Sequence, residues 1–195
     1  MDLLGAAFEQ AHLPFHRTHE PSEGEIGRLL RKVLRREIPS NEQSIAALFL
    51  ADRLDHLQRP EDGILTQLQQ GVHVLCDRYY FSSYAYHVPY VSLDWVIAAN
   101  RPCAELRRPD LTLFLDISVE ESLRRIRRGR NTTELFENRD RLTQVRDNYF
   151  RAFDRLRDEE RIAIIPAEDH PDAVFDRIVT TLQGELQLHL PSTTT

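Results

Sequence analysis

Residues 72–87 read VHVLCDRYYFSSYAYH. Val72, Val74 and Leu75 open an apolar run of the kind found in a strand buried on both faces. The run then stops on a carboxylate and a guanidinium, Asp77 and Arg78. Open α/β sheets bind ligands beyond the carboxyl ends of their strands. Charge is therefore expected at such an end and not inside the strand. An arginine there presents a planar fork of donors that suits phosphate oxygens. A neighbouring carboxylate can hold a hydroxyl, a metal-bound water or the arginine itself. A salt bridge that only ties the strand end together is the structural alternative.

On either side of this stretch, helical and extended patterns alternate. Leu3, Leu4, Ala7 and Phe8 recur at helical spacing, and LPFHRTHEP follows as a short strand stopped by Pro21. GEIGRLLRKVL sets Ile26, Leu29, Leu30 and Val33 on one helical face. Asn41 is placed to cap a helix through EQSIAALFLADRLDHLQ. Pro60 suits the start of a helix, PEDGILTQLQQ, that Gly71 closes. Beyond the quoted stretch, Ser92 caps LDWVIAAN, and the loop RPCAELRRPD leads to the strand LTLFLDI. A helix VEESLRRIRR, a polar stretch GRNTTE, a helix over about 135–158, the strand IAIIP and a helix from about Asp172 to Leu186 complete the pattern. Strands separated by helices predict a parallel sheet covered on both faces. No repeat or linker divides the chain. The expectation is one α/β domain over 1–190, with 191–195 as a loose tail.

The totals agree with this. The chain has 195 residues, 41% of them apolar, which suits one globular domain. Thirty-one acids against 25 bases give a formal charge of −6, the wrong sign for sheathing a nucleic-acid backbone. Cys76 and Cys103 form no Cys-x-x-Cys pair and read as reduced thiols of a cytoplasmic protein. No apolar run approaches the roughly 20 residues that span a bilayer, and the start MDLLGAAFEQ has no basic region of a signal peptide. His16-x-x-His19-Glu20 has the look of a zinc motif, but a strand points those histidines to opposite faces, which argues against a shared metal.

After the charged pair, Tyr79, Ser82, Ser83, Ala85 and Tyr86 complete the pattern D-R-Y-x-x-S-x-x-A-Y. This resembles the signature of thymidylate kinases, which pass a phosphoryl group from ATP to dTMP. ALFLADR resembles the family's Phe-x-x-x-Arg helix, and THEP its Arg-Glu-Pro turn. RRPDLTLFLDISVEESLRRI resembles its fourth strand and the helix after it, and RRGRNTTELFE its lid. Each element alone is a weak signal; in order and at matching intervals they are specific. The resemblance implies a parallel-sheet fold of the P-loop nucleoside monophosphate kinase kind.

It also implies roles. Phe49 stacks on thymine, and Arg53, four residues on along the same helical face, bonds the edge of the base. Arg78 grips the dTMP phosphate, and Asp77 stands near the metal or the transferring group. Glu20, Ser82 and Ser83 line the substrate site, with Ser83 close to the base. Tyr86 presses on the sugar where a ribonucleotide carries its 2′-hydroxyl. Tyr79, Tyr80 and Tyr84 read equally well as a half-buried aromatic belt. A lid at about 124–137 carries Arg127, Arg128, Arg130 and Glu137. Its arginines neutralise charge that spreads during transfer, with Arg128 and Arg130 the catalytic candidates. The implied co-substrate is ATP with Mg²⁺, the metal lying near Asp77 and Glu20. The implied assembly is a homodimer, to which Trp95 and its helix contribute.

Several features depart from the family. The arginine before the glutamate is His19, the paired glycines after the proline are Ser22 and Glu23, and the residue after Tyr86 is His87. The phosphate-cradling loop G-x-x-x-x-G-K-[ST] is absent, and the only lysine, Lys32, lies in an arginine-rich helix with no glycine loop before it. In the family that loop directly precedes a helix resembling MDLLGAAFEQAHLPF, so Met1 falls just after the place of its Lys-Ser/Thr. The first, central strand goes with it. The expectation is an internal codon taken as the start of a longer, active kinase; a degenerate relative is the alternative. A non-catalytic nucleotide- or partner-binding protein, or a deoxynucleoside kinase, are the competing functions.

Overall fold

The computed structural model describes residues 1–129 and 139–192, and every structural statement below concerns these residues. In chain order the elements are α1 (Asp2–Gln10), β1 (Phe15–His19), α2 (Glu25–Leu34), α3 (Glu42–Gln58), α4 (Ile64–Gln69), β2 (His73–Asp77), α5 (Tyr80–His87), α6 (Leu93–Leu106), β3 (Thr112–Asp116), α7 (Val119–Gly129), α8 (Arg139–Leu156), β4 (Ile162–Pro166) and α9 (Pro171–Leu186). This is a mixed α/β arrangement with short parallel strands. The strands form two pairs, β1 with β2 and β3 with β4, each parallel. Every parallel connection runs through helices, as the geometry of parallel pairing requires. None of the described helices is long and apolar enough to cross a membrane.

The chain divides into two compact units, Met1–Arg108 and Pro109–Thr195. In the first, α2, α3, α5 and α6 bury Leu30, Leu57, Tyr80, Ala85 and Val96. The α3 helix starts where its cap predicts: Asn41 Oδ1 accepts the Ser44 N–H at 2.8 Å. Ser92 Oγ likewise accepts the Trp95 N–H at 3.2 Å and opens α6. In the second unit, Phe114 of β3 meets Tyr149, Phe150 and Phe153 of α8, with ring centroids 4.9 to 5.7 Å apart. Ile165, Ala167 and Val174 form an apolar cluster against which Leu113, Ala163 and Ile178 pack.

Two expectations about elements change. The α4 helix starts at Ile64 behind Gly63, and Pro60 lies outside it. The segment expected as a loop after Asn100 is helical through Leu106, with Pro102 inside α6. Proline removes one backbone donor, a cost that burying Cys103 and Ala104 on the same helical face offsets.

Candidate functional site

Parallel pairing puts His19 opposite Asp77, so the ends of β1 and β2 open side by side. The Glu20 N–H closes the gap by donating to the Asp77 carbonyl at 3.1 Å. A further polar strand end, Asp116 at the close of β3, belongs to the second unit. There it takes a two-pronged bond from Arg146, with Nε and Nη2 at 2.8 and 2.8 Å from its two oxygens. Those bonds hold the Arg146 guanidinium above its ordinary value. For Asp116 the structural reading of a strand-end charge is the one that applies.

In the first unit, α3 delivers consecutive charged residues that grip the turn after β1 from both sides. Arg53 is 1% exposed. Its Nε donates to Glu20 Oε2 at 2.8 Å, and its Nη2 lies 2.6 Å from the same oxygen. Its Nη1 donates to Ser83 Oγ on α5 at 3.1 Å and to Asn100 Oδ1 on α6 at 2.5 Å. Burial alone would pull the guanidinium down, but the Glu20 carboxylate outweighs it and holds Arg53 above its ordinary value. Asp52, with no exposed surface, accepts the Ser22 N–H at 2.7 Å and the Ser22 hydroxyl at 2.6 Å. Gly27 must stay glycine for this turn to close, since a Cβ there would lie 2.0 Å from the Ser22 carbonyl oxygen. His56, one turn further along α3, sets Nε2 2.7 Å from Thr18 Oγ1 and Nδ1 3.4 Å from Glu20 Oε1.

The other expected residues lie around this network. Phe49 is half-buried, its ring 5.1 Å from that of His87. Asp77 and Arg78 are exposed at the end of β2. Arg78 has a left-handed backbone, φ 68°, and its guanidinium carbon lies 5.1 Å from the centre of the Tyr86 ring. Ser82 and Tyr86 are half-buried on α5, while Ser83 is 2% exposed. Tyr80 and Tyr84 are core residues. Tyr79 instead lies 5.4 Å from the Arg53 guanidinium and donates its hydroxyl to the Arg107 carbonyl at 3.1 Å. Burial pushes that phenol up, and Glu20 adds to it.

Three residues of this cluster escaped the sequence reading, Asp52, His56 and Asn100, and Ser22 stood there only as a replacement for a glycine of the family. Asn100 left a usable signal. It recurs with Val96, Cys103 and Ala104 on the buried face of α6, and a polar side chain in an apolar stripe needs a partner.

Of the lid residues, Arg127 is exposed on α7 and lines a depression of about 400 Å³ with Glu120, Leu123, Arg124 and Arg139. That depression contains none of the strand-end residues. The Arg128 side chain, Arg130 and Glu137 lie outside the described residues.

A family model described as Thymidylate kinase matches residues 1–178. A protein of Pyrococcus horikoshii named "Probable thymidylate kinase" is 33% identical over 190 residues, covering 94% of this chain and 88% of that protein. One of the same name from Methanococcus aeolicus is 37% identical over 133 residues, 68% of this chain and 63% of the relative. A third, from Thermococcus gammatolerans, is 31% identical over 193 residues, 94% of this chain and 88% of the relative.

Proposed function

The chain belongs to the thymidylate kinase family, a family of phosphotransferases, and from that premise we propose that its site takes dTMP as acceptor of the ATP γ-phosphoryl group, giving dTDP. One observation carries the reading of the site. Phe49, Arg53, Arg78, Ser82, Ser83 and Tyr86 all lie on α3, the end of β2 and α5 of a single compact unit, where α3 packs on α5.

In this reading Phe49 stacks on the thymine ring and the Arg53 side of the site meets the edge of the base. Arg78, exposed at the strand end, takes the 5′-phosphate with its donor fork. Tyr86 lies beside Arg78 and packs against the deoxyribose, where a 2′-hydroxyl would clash. Mg²⁺ bound with ATP supplies charge neutralisation on the transferring phosphoryl group. Asp77 fits that metal, since its carboxylate is exposed at the strand end. Glu20 does not, because Arg53 and His56 approach its two oxygens. Its part is to position Arg53. Arg127, Arg128, Arg130 and Glu137 belong to the lid in this reading.

The pattern G-x-x-x-x-G-K-[ST] does not occur in the 195 residues. Among the described residues, β2 pairs only with β1 and β3 only with β4. The family implies a P-loop kinase fold, and we read it as a parallel sheet with helices on both faces, whose first, central strand and glycine-rich loop are not among these residues. The reading further takes the protein as a cytoplasmic homodimer acting on small nucleotides and not on nucleic acid. Trp95, 46% exposed on α6, is a candidate for the interface.

Binding of dTMP is the measurement that reports on the acceptor site without the donor cradle. Calorimetric titration of the chain should show dTMP binding that Arg78→Ala abolishes and that thymidine, lacking the phosphate, does not match. A chain that binds thymidine as tightly as dTMP favours a nucleoside acceptor instead.

A further inference from the structure

Arg53 is held by three side chains, Glu20, Ser83 and Asn100, and the two that meet its Nη1 differ in how firmly they are fixed. Its Nη1 carries two hydrogens, and both have acceptors: Ser83 Oγ at 3.1 Å and Asn100 Oδ1 at 2.5 Å. The two acceptors differ in kind. A serine hydroxyl rotates, and it donates as readily as it accepts. It can therefore give up its place on Nη1 to a ligand oxygen, or bridge to one. Asn100 cannot turn. Its Nδ2 donates to the Val96 carbonyl at 2.9 Å on its own helix, which leaves Oδ1 facing the guanidinium. The flipped carboxamide would set donor against donor at Arg53 and oxygen against oxygen at Val96, both at a site where Asn100 is 3% exposed.

We propose that Asn100 is a positioning residue that sharpens the choice between 4-oxo and 4-amino pyrimidine nucleotides, by fixing the direction in which Arg53 presents its exchangeable N–H. The inference rests on the reading that the Arg53 side of the unit meets the base. A guanidinium has donors and no acceptor. Nε and Nη2 are turned to Glu20, and of the two Nη1 hydrogens the one toward Asn100 is held while the one toward Ser83 is open to exchange. A base with oxygen at position 4 meets it as an acceptor. A base with an amino group there sets N–H against N–H. Without the Asn100 oxygen, the buried Nη1 hydrogen on that side has no acceptor, and the fork turns or takes in water to satisfy it. The donor then loses its fixed direction, and with it part of the discrimination.

The test is calorimetric titration of the chain with dTMP and with dCMP, for the unaltered protein, Asn100→Ala and Asn100→Asp, with melting temperatures measured alongside. Asn100→Asp keeps the acceptor toward Arg53 while losing the donor toward Val96. The unaltered chain should prefer dTMP. Asn100→Ala should lose about tenfold of that preference, the scale of one unmade hydrogen bond to a charged group. Asn100→Asp should keep it. Should the alanine variant fail to fold, Asn100→Leu fills the same volume without an acceptor and carries the same expectation. An unchanged dTMP-to-dCMP ratio in the variant without an acceptor overturns the inference and leaves the proposed function standing. Equal loss of the ratio in the aspartate and alanine variants also overturns it, because only packing would then be at stake. An unaltered chain that binds no dTMP overturns the proposed function and this inference together.

Discussion

The Arg53 guanidinium and the Glu20 carboxylate stand 2.6 Å apart with 1% and 2% of their side chains exposed. Each is the other's principal compensation for leaving water. Removing one partner of a buried pair costs about 3–5 kcal/mol, mostly because the survivor is left charged and unpaired. Glu20→Ala should therefore lower unfolding stability by about that much, read as a shift of the urea midpoint at constant slope. Glu20→Gln keeps the shape and an acceptor and should cost less. A midpoint for Glu20→Ala within error of the unaltered chain would show that the pair is not the closed ion pair described here.

Phe49 has a different kind of duty. It is half-buried, and its ring contact is with His87 at 5.1 Å, so little of the core depends on it. Stacking of a base on an aromatic side chain is worth about 1–3 kcal/mol. Phe49→Ala should thus weaken dTMP binding by roughly ten- to a hundredfold while moving the melting temperature little. Phe49→Trp should preserve binding. A large loss of stability in Phe49→Ala without loss of affinity would make it a packing residue.

The contrast between these two residues shows what the sequence carried and what it hid. Strand ends, caps and helix faces were legible because each is a local pattern. Asn41 and Ser92 sit where their side chains can reach the first free N–H groups, and IAIIP is β4 residue for residue. The Phe49–Arg53 spacing placed both on one helix, but nothing local says that Arg53 is shut away from water. That follows from Glu20, Ser83 and Asn100, which lie 33, 30 and 47 residues away in sequence. Asp52 was passed over for the same reason: its partner, Ser22, stands 30 residues off. Pro102 misled in the opposite direction, as a local breaker that tertiary burial overrides.

Arg78 carries its charge on a left-handed backbone, φ 68°, where a side chain costs about 1–2 kcal/mol relative to glycine. Glycine's greater freedom when unfolded cancels part of that. Arg78→Gly should therefore be more stable than Arg78→Ala by about 1 kcal/mol, while both lose the phosphate. Arg78→Lys should keep the charge and lose the fork, binding dTMP more weakly than arginine does. Chemical unfolding of the glycine and alanine variants side by side is the check. Equal stabilities would remove the claim of backbone strain at the strand end.

Cys103 ties the stability of this cluster to pH. Burial pushes its thiol up to about 11 from an ordinary 9.0, with Glu20 adding to the shift and Arg53 opposing it. Between those two values the unfolded chain gives up the proton that the folded chain keeps. The folded form then binds more protons, so its stability falls as pH rises. The contribution is complete below about pH 9 and is lost as pH climbs through about 11. Two units correspond to on the order of 2–3 kcal/mol. Other groups titrate in the same range; Tyr79, for one, is also shifted up by burial. The informative quantity is therefore the difference between the unaltered chain and Cys103→Ser, whose hydroxyl does not titrate there. That difference should be flat from pH 7 to about 9 and then move against the cysteine chain. Unfolding curves that stay parallel to pH 10.5 or so would mean that the thiolate is accommodated as readily as the thiol, and that Cys103 meets more water than its place between α6 and Arg53 implies.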